Sequence, residues 1–162
     1  MLKRLRYMKK NISGFVAGVC LLIGCAGFVH AHGGGAVLGD PRSFTGVAVV
    51  TCTYDGVGSA ADYYLTAQIR DNSPAIPGLL INLHIFKGNK AVSISDTISG
   101  DADYSPFVEL RGGAGAYFVI VSKTDAGERS FDLEWHCMAG NDTHTDTEIG
   151  ITQFGVPEGR NF

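Results

Sequence analysis

From Arg111 to Cys137 the chain reads RGGAGAYFVIVSKTDAGERSFDLEWHC. Glycines 112, 113 and 115 break the backbone before a largely apolar run, Tyr117 to Lys123. Asp125, Ala126 and Gly127 then offer a turn. Beyond it Phe131, Leu133, Trp135 and Cys137 alternate with Asp132, Glu134 and His136. Strict alternation gives a strand one buried face and one wet face. The stretch therefore predicts a β-hairpin whose second strand carries Trp135 and Cys137 inward.

The same period recurs along the chain. Phe44 to Tyr54 puts Phe44, Ala48, Val50, Cys52 and Tyr54 on one face. Tyr63 to Arg70 sends Tyr63, Leu65, Ala67 and Ile69 one way and Tyr64, Thr66, Gln68 and Arg70 the other. Leu79 to Phe86 turns Leu79, Ile81, Leu83 and Ile85 inward, with Asn82 and His84 opposite. Lys87-Gly88-Asn89-Lys90 is a tight turn, so Ala91 to Ser95 pairs back as a hairpin. Short strands follow at Phe107 to Leu110 and Glu148 to Phe154. No helical period persists beyond two turns. The pattern predicts an all-β fold, a single antiparallel β-sandwich (immunoglobulin-like or jelly-roll) of seven or eight strands over residues 44–155. Its expected core is Val50, Leu65, Ile69, Ile81, Leu83, Ile85, Phe118, Phe131, Leu133 and Trp135. Residues 32–43, HGGGAVLGDPRS, read as a loose leading segment because glycine is entropically costly to order. Residues 156–162 read as a tail.

The N-terminus reads as a targeting segment. Lys3, Arg4, Arg6, Lys9 and Lys10 precede an apolar run, Phe15 to Gly24, that is too short to span a bilayer. Val29-His30-Ala31 suits signal-peptidase cleavage, which makes residues 1–31 a signal peptide and His32 the first mature residue. Leu22-Ile23-Gly24-Cys25 alternatively resembles a bacterial lipobox, which would lipidate Cys25 and tie the protein to a membrane. An uncleaved anchor is the third alternative. Either way the expected destination is the periplasm or the extracellular space.

Charge and cysteine usage follow from that destination. Residues 1–31 hold five Lys/Arg and no Asp/Glu, so the remainder carries eight basic and sixteen acidic side chains, a net charge of −8. An acidic domain with no basic cluster argues against nucleic acid as a partner. Cys52 and Cys137 are the two cysteines outside the targeting segment. In an exported protein the pair reads as a disulfide, here joining the first strand to the last strand of the opening hairpin. Two thiolates on a metal are the alternative, with no CxxC spacing to favour it.

The segments LLINLHIFKGNKAVSIS, SGDADYSPFVEL, GGAGAYFVIVSKT and SFDLEWHC together resemble bacterial pre-peptidase C-terminal-like domains. The resemblance covers about Tyr63 to Cys137 and rests on glycines, alternation and one tyrosine. It implies a non-catalytic exported sandwich, sometimes with bound calcium. The chain departs from the family's usual setting in having no catalytic domain attached.

Four groups of residues carry candidate chemistry. If His32 is N-terminal, its α-amine and imidazole chelate Cu(II), with His84, His136 or His144 as a further ligand. The plainer alternative is four surface histidines and a mature end set by signal-peptidase preference alone. Met138, a single thioether, does not by itself make a soft site. Asp96, Asp101 and Asp103 offer oxygen donors to Ca²⁺, though their spacing departs from the twelve-residue calcium loop and Asp is an ordinary turn former. Asn141, Asp142, His144, Asp146 and Glu148 form a second acidic loop of similar quality. Tyr64 and Phe86 are outward aromatics that suit a stacking platform for a glycan or protein. For catalysis there is no GxSxG elbow, HExxH or phosphate-binding glycine loop. Carboxylate pairs for glycoside cleavage need distances, which keeps a small hydrolase as a lesser alternative.

The expected function is an exported, non-catalytic binding or accessory module of the cell envelope, with an envelope or extracellular protein or a glycan as partner and no required cofactor. A periplasmic copper or calcium protein is one alternative. Another is a structural subunit of a surface assembly, built by strand addition at an exposed edge.

Overall fold

The computed structural model describes residues 32–145 and 147–154. The expected signal peptide with Cys25, the tail and Asp146 lie outside the described residues. No helix among these residues is long and apolar enough to cross a membrane.

The described chain forms nine strands: β1 (His32–Leu38), β2 (Thr45–Cys52), β3 (Tyr64–Asp71), β4 (Ile81–Lys87), β5 (Lys90–Ser95), β6 (Val108–Leu110), β7 (Gly115–Lys123), β8 (Arg129–Met138) and β9 (Thr147–Phe154). They make two sheets, β1-β8-β3-β6 and β5-β4-β7-β2-β9. Every pairing is antiparallel. The fold is the expected all-β sandwich.

Alternation is what lets the two sheets close on one another. Leu65, Ala67 and Ile69 of β3 and Phe131, Leu133 and Trp135 of β8 line one inner face. Val50 of β2, Ile81, Leu83 and Ile85 of β4 and Val119 of β7 line the other. The Cys52–Cys137 disulfide joins β2 to β8, and so one sheet to the other, across Cα atoms 5.2 Å apart. Both cysteines are fully buried. The β4–β5 hairpin also forms as expected, with Lys87 opposite Lys90. Gly88 takes φ 60° at the first of the two turn positions, where a two-residue hairpin favours glycine.

Three expectations are corrected. First, β7 and β8 are not a hairpin. β7 lies between β4 and β2 in the five-stranded sheet, and β8 lies between β1 and β3 in the other. Residues 124–128 carry the chain from one sheet to the other. Alternation assigns faces to a strand, not neighbours. What shapes this link is the buried Lys123, whose ammonium donates to the carbonyls of Gly39, Asp40 and Gly127, the Asp40 contact at 2.8 Å. Burial holds the Lys123 pKa below its ordinary value, partly offset by the Asp40 charge. Gly127, at φ 127°, donates its N–H to Asp40 and sits where a Cβ would lie 2.6 Å from Leu79 Cδ2.

Second, residues 32–38 are not a loose leader. They form β1, which pairs along its whole length with β8, from His32 opposite Trp135 to Leu38 opposite Arg129. The glycines lower strand propensity, but the ladder and the fully buried Leu38 outweigh that cost. Third, Phe118 is 46% exposed. Tyr117, Val119 and Val121 take the inward positions of β7 instead. In an unbroken apolar run no polar residue marks the wet face, so the register is invisible in the pattern.

Candidate functional site

The outer face of the four-stranded sheet holds the candidate site. On β8 the odd residues point into the core, so Glu134, His136 and Met138 stand side by side on the outside. Past Met138 the chain turns back at Ala139–Thr143 and forms an antiparallel bridge that sets His144 opposite Met138. Residues opposite one another in an antiparallel pair share a face. His144 is thereby brought against His136, with ring centroids 4.5 Å apart and planes tilted by 60°. Phe107, just before β6, lies 6.0 Å from His136 on its other side. These residues, with Tyr64 and Thr66 of β3, line an open groove of about 410 Å³.

Hydrogen bonds fix much of this surface. His136 Nε2 lies 3.0 Å from Glu134 Oε1. A carboxylate only accepts, so Nε2 carries the proton. His136 is 8% exposed, and its Nδ1 is buried with no hydrogen-bond partner. Tyr64 donates to Asp142 Oδ1 at 2.6 Å, and the Arg111 guanidinium lies 4.0 Å over its ring. Burial, then the bond to Asp142, pushes the Tyr64 pKa up to about 12. Gln68 donates to Glu134 Oε2 at 2.6 Å, which holds that carboxylate from its other side.

The other expected site residues do not assemble. His84 is on β4, on the outer face of the opposite sheet, with Nε2 3.1 Å from Ser122 Oγ. It and His136 are separated by the whole thickness of the sandwich and cannot share an ion. The backbone of His32 is paired opposite Trp135 in β1. Among the described residues no three His, Cys, Asp or Glu side chains are placed to hold a metal ion.

The calcium set is likewise dispersed. Asp96 is buried, and its carboxylate accepts from the N–H of Asp71 at 2.7 Å and of Ile98 at 3.2 Å. Burial raises its pKa. Asp101 and Asp103 are exposed, and Asp101 accepts the N–H of Asp103 at 3.1 Å. Asp96 belongs instead to an internal polar cluster with Asp71 and the fully buried Arg129, whose Nη1 donates to the Pro74 carbonyl at 2.6 Å. Tyr64 and Phe86 form no common platform either, because they lie on different sheets. Phe86 stacks on Phe118 at 5.5 Å.

The groove is also lined by Thr66, Phe107, Glu109, Glu134 and Met138, none of which the sequence singled out as a site residue. The alternation of β8 already put Glu134, His136 and Met138 on one face. The bridge to His144 had no signal in the sequence. Comparison with protein-family models, with curated proteins and with solved structures finds no match.

Proposed function

We propose that this chain is an exported, non-catalytic binding module of the cell envelope that takes its ligand on the outer face of the four-stranded sheet. The groove beside Phe107, Glu134 and His136 carries this reading. It combines an apolar ring, 45% exposed at Phe107, with the Glu134 carboxylate, held in place by Gln68 of β3 and by His136. A rigid sheet positions such groups more firmly than loops do. A glycan suits that mixture, since its C–H face stacks on an aromatic ring while its hydroxyls donate to carboxylates. The buried disulfide accords with an oxidising compartment. The resemblance to pre-peptidase C-terminal-like domains points the same way.

Co-sedimentation with purified cell-wall glycan tests it. The native chain is expected in the pellet. Phe107→Ser and Thr66→Arg, both on the outer face, are expected to leave it in the supernatant. Equal pelleting by both variants would remove the groove from the account. A periplasmic copper protein is the second reading, favoured by the contact between His136 and His144.

A further inference from the structure

We propose that His136, His144 and Met138 form a Cu(I) site on the outer face of the four-stranded sheet, with Glu134 as the carboxylate that orients His136. The inference rests on the reading that this face is a ligand surface.

The register of β8 supplies the first part. His136 and Met138 are two residues apart on one strand and so share a face. The bridge from Met138 to His144 puts the second imidazole on that face. Ring centroids 4.5 Å apart let two imidazoles converge on one ion, since metal–nitrogen bonds are about 2 Å long. Met138 and His144 line the same groove.

The state of His136 supplies the second part. Its Nε2–H is given to Glu134 Oε1. With Nε2 as the donor, a neutral ring presents its lone pair at Nδ1, and that nitrogen is buried with no hydrogen-bond partner. A buried acceptor left unsatisfied is costly, and native proteins rarely leave one. A carboxylate that grips one imidazole nitrogen while the other faces a metal is the usual outer-sphere arrangement of histidine ligands. Glu134 therefore has a positioning role, and it is itself held by Gln68.

The donor set chooses the ion. Thioether with imidazole is soft, which selects Cu(I). Calcium and magnesium take oxygen donors, and the carboxylate nearest the site is already bonded to His136. Met138 is thus no longer a lone thioether, because the fold adds two imidazoles to it. Phe107 lies beside His136, ring centroids 6.0 Å apart.

The test uses the chain expressed with its own N-terminal segment and recovered from exporting cells with the disulfide intact. Anaerobic Cu(I) titration against a chromophoric Cu(I) chelator, with Zn(II) in parallel, reads the affinity. One Cu(I) per chain is expected, bound more tightly than Zn(II). Met138→Leu keeps the side-chain volume and is expected to weaken Cu(I) at least tenfold, with copper-free melting unchanged. Glu134→Gln is expected to weaken it by about 10–100-fold. His84→Ala and His32→Ala are expected to bind as the native chain does, the latter excluding chelation by a processed N-terminus. Met138→Leu holding Cu(I) as tightly as the native protein, or a preference for Zn(II), would overturn the site. Copper binding without glycan pelleting supports the site and removes the glycan reading. Pelleting without copper binding overturns the site and leaves the glycan reading standing.

Discussion

The hydroxyl of Tyr117 donates to the carbonyl of Gly113, four residues upstream, at 2.7 Å. The same oxygen accepts the N–H of Gly112 at 3.2 Å, and the Lys87 ammonium lies 4.2 Å from the ring centroid. A tyrosine at the start of a strand that bonds back to the preceding turn is a recurrent corner in two-sheet sandwiches. Tyr117 is fully buried, and burial raises its pKa. Tyr117→Phe keeps the packing but leaves the Gly112 N–H without its acceptor. The expected loss is about 1–3 kcal/mol, read as a lower midpoint in urea unfolding.

Lys123 ties three segments together through the carbonyls of Gly39, Asp40 and Gly127. Lys123→Met fills similar space and strands those carbonyls. It is expected to destabilise by at least about 1–3 kcal/mol, again by urea unfolding. Amide exchange in β1 should accelerate more than exchange in β4, because the loop after β1 loses its clamp.

The Cys52–Cys137 link closes a loop with a sequence separation of 85. Replacing both cysteines with alanine is expected to cost about 2–5 kcal/mol. Unfolding of the native chain with and without a thiol reductant should show the same difference, and the double variant should be indifferent to reductant.

Asp132 accepts from Arg70 Nη2 at 2.7 Å and from its Nε at 3.0 Å. The Arg70 bonds, then the Asn72 bond, hold the Asp132 pKa below its ordinary 3.8. A depressed native pKa means stability that is present above the unfolded value and lost as pH falls through the native one. The pair is about one-third exposed, so Asp132→Asn should cost only about 0.2–1 kcal/mol at pH 7. The gap between native and variant should close below the native pKa. Urea midpoints at pH 7 and at the lowest pH that preserves the fold check this.

How much of this was legible depended on which residues interrupt the apolar runs. In β3 and β8, polar Gln68, Arg70, Asp132 and Glu134 mark the outer face, and the inner residues follow. In β7 nothing polar separates Tyr117 from Val121, so Phe118 was misplaced. Pattern also places a residue outside without saying which outside. His84 and His136 both alternate outward, yet they lie on opposite faces of the sandwich. Asp96 looked like a free loop carboxylate because its partner, the Asp71 N–H, lies 25 residues away. The contact between His136 and His144 depends on a chain reversal whose pairing no local residue announces.

The connectivity has a kinetic consequence. Of the seven strand pairings among the described residues, only β4 with β5 joins neighbours in sequence. Non-local pairing makes folding slow, roughly milliseconds to seconds for sandwiches of this kind. The delay is longest at β2, which needs β7 on one edge and β9, near the end of the chain, on the other. A chain that emerges N-terminus first therefore exposes the apolar VAVV stretch of β2 while most of the protein is still to come. Unpaired apolar strands of that kind recruit one another, so β2 before it pairs with β7 and β9 is the stretch of the folding chain most open to association.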